Sequence, residues 1–409
     1  MHILLRSSLF VAGSLLATIN TATAATYSAT SSNLLAIFNK AAAGDTINLS
    51  GSFGSTTLAG KSWSSPVTIN ATRATFTDSL SIKQVNGLSF VGGKFGSTTS
   101  GMRTGRAVGV FGGSNINFSN ASFIGNSRGT VKGLTFTGTT NVNVSKSSFT
   151  GFKSGIGVNG VRDVLFADNT VTGSISDGFN IANSHFVTAT GNRCSGTVPA
   201  AGAHPDCIQL WSIAGEPVQS DIKLIGNFAT GMTQGFTSFD PERGGGLRIT
   251  MSGNRVDTSF PQGIACYACV DSIITDNVLT TQAGARFQTI VRVIGGSNNI
   301  VANNSIGSFS KPLSKNRMAM LTGSESAASV DFGDDWGFQD LAAESEELRA
   351  ELALFRSGIT ELESFVSNAA PDAAGAVPEP LIWAQLLAGF ALIGAAMRRG
   401  RTLLPARAL

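Results

Sequence analysis

Charge is scarce in this chain. Of its 409 residues, 13% are Asp, Glu, Lys or Arg, about half the usual share. Apolar residues nevertheless reach 42%, too many for a disordered polyelectrolyte. Helical periodicity is missing throughout residues 154–304, and so are the regularly spaced Leu of leucine-rich repeats and the Ala/Leu/Glu runs of helical repeats. No basic-aromatic cluster is present to hold nucleic acid, and no Asp-rich nonapeptide repeat to hold stacked Ca²⁺. Glycine, by contrast, is plentiful at 48 residues, and asparagine returns in one recurring phrase.

The phrase is a short apolar strand, an Asn, and a second apolar residue two positions later. It carries Asn169, Asn192, Asn227, Asn254, Asn277 and Asn304, at spacings of 23, 35, 27, 23 and 27 residues. Without the Asn, the same frame reaches back through Ser147, Ala121 and Gly93, at 22, 26 and 28 residues. A period in the twenties with Val/Ile/Phe/Thr-rich runs and Gly/Asn/Ser turns predicts a stacked solenoid, whose single rungs cannot bury their own apolar side chains. A coil of this length holding three short strands is a right-handed parallel β-helix, an all-β fold assigned here to residues 26–315. Inward Asn at a corner stacks into a ladder and tolerates left-handed backbone, so the recurring Asn is read as architectural. Asp163, Asp168, Asp221, Asp271 and Asp276 are read as turn residues on the same grounds.

The ends of the chain differ from its middle. Residues 1–24 combine Arg6, an apolar run Leu9–Ile19 and Ala22-Thr-Ala24, the pattern of a secretory signal peptide. Asn33–Ala43 has helical spacing and precedes the strand-like Thr46–Leu49, as a cap over the first rung would. Residues 1–324 carry 23 Lys/Arg against 13 Asp/Glu, whereas residues 325–372 carry 2 against 12. The basic body suits an anionic partner, an acidic polysaccharide above all. Within the acidic segment, 316–375, Leu341–Phe355 reads as an amphipathic helix. Residues 376–401 hold Val377-Pro378-Glu379-Pro380, seventeen uncharged residues Leu381–Met397, and Arg398-Arg399-Gly400-Arg401, a span near the lower limit for crossing a bilayer with its basic end cytoplasmic.

Four cysteines in an exported chain point to two disulfides. Cys194 and Cys207 bracket the one long insertion between rungs, and Cys266 and Cys269 form a Cys-Tyr-Ala-Cys pair. A Cys₄ zinc site is the competing reading.

Aligning rungs by their Asn puts Ile156, Phe179, Ile208, Phe236 and Ile264 in one inward column. Two outward columns follow by strand alternation: Gly157, Asn180, Gln209, Thr237, Ala265, and Asn159, Ala182, Trp211, Phe239, Tyr267. Trp211, Phe239 and Tyr267 would form an aromatic stripe on which sugar rings pack, if it is open, and a plain packing feature if it is covered. At the strand edge Asp177 and Asp206 fall on adjacent rungs, close enough to split their pKa values into an acid and a base or nucleophile; a turn role is the plainer reading. His204, one of three histidines, sits beside them in His204-Pro205-Asp206. Asp240 and Arg243 follow at the next corner, and Arg292 points out further along. No cofactor is required by these residues, although Ca²⁺ would suit Asp177, Asp206 and Asp240 should they converge.

Several of these motifs resemble known families. The short helix followed by Ala43-Gly44-Asp45-Thr46-Ile47 resembles the N-terminal cap of pectate-lyase-like β-helices. Asp177-Gly178-Phe179 with Asp206-Cys207-Ile208 is similar to the Asp-Gly-Ile and Asp-Asp-Cys-Ile pair of polygalacturonase-type glycoside hydrolases, with Pro205 in place of the doublet's first Asp and no Gly-His-Gly on the next rung. That resemblance implies hydrolysis through Asp177 and Asp206. Resemblance to pectate lyases implies β-elimination instead, with Arg243 or Arg292 neutralising a uronate carboxylate and His204 as base. Asp240-Pro241-Glu242 half matches the Asp-Pro-His corner of mannuronan epimerases. The tail resembles the PEP-CTERM sorting signal, which implies a Gram-negative exporter of exopolysaccharide, transient passage through the inner membrane and cleavage by an exosortase; a permanent anchor is the alternative. The expectation is a secreted, monomeric, cell-surface protein that cleaves acidic extracellular polysaccharide as a lyase or glycoside hydrolase, using Gln209, Trp211, Phe239, Asp240, Tyr267 and Arg292 to bind it. A non-catalytic binding or structural matrix protein is the alternative.

Overall fold

The computed structural model describes residues 23–97, 105–127, 131–199, 203–213, 215–239 and 245–307. Asp240, Arg243, most of the signal segment, the acidic segment and the sorting tail with its span at 381–397 lie outside the described residues. Among the described residues no helix is long and apolar enough to cross a membrane.

The chain winds as a parallel β-helix. Each regular turn holds three short strands, as in Ile156–Asn159, Arg162–Ala167 and Thr170–Thr172, followed one turn later by Phe179–Ala182, His185–Thr190 and Arg193–Ser195. Corresponding strands of successive turns pair in parallel. The first strand of each turn belongs to a ten-stranded sheet running from Thr56–Ala59 to Ile290–Ile294, and the other two join into one long sheet wrapped around the rest of the coil.

The core is built from columns of like residues. Phe53, Phe76, Phe95, Phe123 and Phe149 stack ring on ring at 4.8, 5.0, 5.0 and 4.4 Å. The column continues through Val171, Cys194, Ala229, Val256 and Leu279. Only identical register on every rung brings residues this far apart in sequence into ring contact, and parallel β-spacing of about 4.8 Å matches the separation of offset aromatic faces. The N-terminal end is closed as expected. Helix Leu34–Lys40 buries Leu34 and Phe38, and Phe38 meets Trp63 edge-on at 5.3 Å.

The recurring asparagines form a continuous internal ladder. Each side-chain amide of Asn169, Asn192, Asn227, Asn254 and Asn277 donates to the Oδ1 of the next Asn at 2.8–3.1 Å, and each backbone N–H of the five donates to the same oxygen. The second amide hydrogen reaches a carbonyl, for example Asn254 to Leu224. Ser147 extends the ladder by accepting from the Ala121 N–H, while its own N–H donates to Asn169. The ladder satisfies backbone groups that a tight corner would otherwise bury unpaired. The five aspartates assigned to turns all have left-handed backbone: φ is 58° at Asp163, 56° at Asp168, 60° at Asp221, 53° at Asp271 and 58° at Asp276.

Both disulfides form, Cys194–Cys207 and Cys266–Cys269, which overturns the zinc alternative. The longest repeat takes its extra length in two places. The pairing offset grows from 23 residues at Thr172 and Ser195 to 29 at Phe179 and Ile208 and to 35 at His185 and Ser220, while the Cys194–Cys207 bridge ties the two sides of the first insertion at the core.

Asn254→Ala removes two donors and the acceptor of two Asn227 N–H groups in a dry interior. The expected loss is roughly 2–4 kcal/mol, read as a lower denaturation midpoint. The exposed Lys223→Ala should stay within about 0.5 kcal/mol of the parent.

Candidate functional site

The site lies on the outer face of the ten-stranded sheet. Register pairs Phe179 with Ile208, Ile208 with Phe236 and Phe236 with Ile264, all inside the coil. The residues between them, Asn180, Gln209, Thr237 and Ala265, align outside, and Arg292 joins that column as the partner of Ala265.

Strict alternation would send Asp177 and Asp206 inward with Phe179 and Ile208. A double inward position at the start of each strand prevents this. A Cβ on Gly178 would stand 2.6 Å from the Cys194 sulfur, and Cys207, its counterpart on the next rung, bonds to that sulfur. Two successive residues therefore face the core, and the preceding aspartate is turned out. The outward direction is visible in the partners. Asn180 Nδ2 donates to Asp177 Oδ2 at 2.9 Å, and Thr237 Oγ1 donates to Asp206 Oδ1 at 2.9 Å.

The two aspartates are in direct contact. Asp177 Oδ1 accepts the backbone N–H of Asp206 at 2.9 Å, so the side chains sit on adjacent rungs as expected. Both are almost wholly buried, Asp177 at 2% and Asp206 at 1% exposure. Burial first, and the Asp206 charge second, push the Asp177 carboxyl up to about 6, against the opposing hydrogen bonds of Asn180 and the Asp206 backbone. His204 Nδ1 stands 3.8 Å from Asp206 Oδ2. Its side chain, at 12% exposure, reaches solvent where the carboxylates do not.

Asn180 is the hub that sequence reading missed. It donates to Asp177 and to Gln209 Oε1, and its Oδ1 accepts the indole N–H of Trp211 at 2.9 Å. Its outward column was legible, but its partners depend on side-chain reach. The aromatic stripe needs correction. Phe239 and Tyr267 do stack, with centroids 4.8 Å apart. Trp211, however, packs with Ala182 and Ile213 and turns its indole to Asn180. At 5% and 9% exposure Trp211 and Phe239 are buried, so the stripe is no open sugar platform. The buried indole N–H needs an acceptor, and Asn180 supplies one.

Three rungs beyond Asp206, Arg292 Nη1 donates to the hydroxyl of Tyr267 on the preceding rung at 3.3 Å, which donates to Gln262 Oε1 at 3.1 Å. Burial raises the Tyr267 pKa; the adjacent Arg292 opposes the shift, and the Asp206 charge adds to it. Gln234 and Gln262 occupy the strand-edge position that Asp177 and Asp206 hold on earlier rungs. The repeated phrase Asp/Gln-Gly-Phe/Ile is the signal that could have found them. Among the described residues no three His, Cys, Asp or Glu side chains converge as a metal site; Asp240 lies outside them.

No family model and no curated protein matches the chain. Among solved structures, an alginate lyase from Paenibacillus sp. superposes with a TM-score of 0.50 and 15% identity, covering 68% of this chain and 99% of the lyase. A DFA-IIIase of Arthrobacter chlorophenolicus A6, solved without its lid, gives 0.40 at 13% identity over 69% and 98%. A surface adhesin of Streptococcus pneumoniae gives 0.39 at 12% over 66% and 75%. The likeness to the lyase is one of fold, and the lower scores add nothing to it.

Because the folded Asp177 binds a proton to a higher pH than an unfolded Asp, the native state holds more protons between about pH 4 and pH 6. Stability should fall as pH rises through that window, by on the order of 3 kcal/mol. Denaturant unfolding of Asp177→Asn should show a flatter profile over the same window. Equal slopes in variant and parent would mean that Asp177 titrates normally.

Proposed function

We propose that this chain is a secreted, cell-surface-sorted β-helix protein that cleaves acidic extracellular polysaccharide by acid–base chemistry. The observation that carries this reading is the pair Asp177 and Asp206 on adjacent rungs, with Asp177 holding its proton to about pH 6 beside His204. A buried carboxyl group that keeps its proton beside a second carboxyl group is the pattern of an acid–base pair. In hydrolysis, the buried Asp177–Asp206 pair acts as the proton store behind His204, the member of the cluster that meets solvent and passes the proton to the glycosidic oxygen. In β-elimination, His204 takes the C5 proton and Arg292, held against Tyr267, offsets the charge of the uronate carboxylate. Arg243, at a corner outside the described residues, is a second candidate for that role. Gln209 completes the polar floor through Asn180. The alginate lyase that shares the fold is by its description a lyase of an acidic polymer; the fold alone transfers no activity.

The signal segment, the sorting tail and its exosortase partner belong to the same proposal and rest on sequence motifs. A second reading, a non-catalytic binding or matrix protein, is favoured by one observation. The network around Asn180 is buried and largely satisfied by its own members, as a structural polar cluster would be.

Incubation with a panel of uronate polymers separates the two. The catalytic reading predicts either ultraviolet absorbance from unsaturated ends or new reducing ends, reduced by roughly 10²–10⁴-fold in Asp206→Asn. An equal, null result for parent and variant would favour the binding reading.

A further inference from the structure

A different face carries an arrangement that the proposed chemistry does not use. Arg193, Phe228 and Arg255 hold one register position on three successive rungs of the long sheet. The Arg193 guanidinium carbon lies 4.5 Å from the Phe228 ring centre and that of Arg255 lies 5.6 Å from it. One ring is thus flanked by two cations. Both arginines are exposed and Phe228 is half-buried. Stacking engages the flat face of a guanidinium and leaves its N–H edge available for a bidentate contact to a carboxylate.

Neither arginine makes an ion pair among the described residues, although Asp257 follows two positions after Arg255 on the same strand. This contrasts with Arg248, which meets Asp221 through two bonds at 2.6 and 2.7 Å. Two like charges about 9.6 Å apart, at two strand spacings, repel each other in the empty protein and attract an anion that bridges them. The surrounding body is itself basic, with 23 Lys/Arg against 13 Asp/Glu over residues 1–324.

We propose that Arg193, Phe228 and Arg255 form a second, non-catalytic site that holds a strand of carboxylated polysaccharide across the rungs. The ring holds the two guanidinium groups in place from between them, and their free N–H edges take carboxylates of the same strand. This inference shares only its ligand class with the proposed function.

Titration calorimetry of the full chain at low salt, with a defined oligogalacturonate as probe, tests it. The double variant Arg193→Gln/Arg255→Gln should bind at least about tenfold more weakly, with an unchanged thermal midpoint because both side chains are exposed. Phe228→Leu should lose affinity in the same direction by less, and a neutral dextran oligomer should not bind. Parent-like affinity in the double variant would overturn the proposal. So would tighter binding of a sulfated oligosaccharide of equal charge, which would assign the site to sulfate esters. Asp206→Asn should retain the arginine-dependent binding. If uronate polymers are not cleaved and the double variant still loses binding, the proposed activity falls and this site stands. If they are cleaved and binding is indifferent to the arginines, the reverse holds.

Discussion

The hydrogen-bonded asparagine ladder is the constraint from which the rest of the structure follows. Each Asn side chain satisfies two backbone groups and one side chain of a neighbouring rung inside a dry core. Slipping one rung by a single residue would leave those groups buried and unpaired, at about 1–3 kcal/mol each, and would turn its apolar residues outward. Register is therefore locked rung by rung. Locked register is what places Asp177 over Asp206, and Arg193 and Arg255 on either side of Phe228.

Much of this was legible in the sequence because it is periodic. The spacing of Asn169 through Asn304 gave the coil, and the inward column Ile156, Phe179, Ile208, Phe236, Ile264 was in register as read. The turn aspartates were recognisable because few residues accept left-handed backbone. The two cysteine pairs stood at the ends of an excursion and within one corner. What periodicity does not encode is how far a side chain reaches and what lies over it. The burial of Trp211 and Phe239, and the meeting of Asp177, Gln209 and Trp211 at Asn180, depend on contacts between columns. Register alone orders residues within one. The outward turn of Asp177 was hidden for a related reason, since a doubled inward position breaks simple alternation where Gly178 and Cys207 meet the opposite wall.

The solenoid thus separates two kinds of polar chemistry. On the ten-stranded sheet, ionisable groups are buried together, and low dielectric holds a proton on Asp177 that water would remove. On the long sheet, arginines stay in solvent and are arranged by stacking on rings, where they attract counter-charge over a distance. A repeat that adds one residue to each column per turn produces both, because every outward position becomes a row. A row is the shape that matches a polymer.

The measurement that bears most directly on the locked register is an engineered cross-link across the longest repeat. Thr188 and Lys223 are 35 residues apart and are paired neighbours on adjacent rungs, with Ile225 two pairs further along. If the excursion leaves the ladder undisturbed, Thr188→Cys with Lys223→Cys closes to an intramolecular disulfide under mild oxidation, at a Cα separation within the usual range of roughly 4.4–6.8 Å. The pair Thr188→Cys with Ile225→Cys stays open. A cross-link in the second pair but not the first would show a slipped rung, and Asp177 and Asp206 would then not be the neighbours on which the account rests.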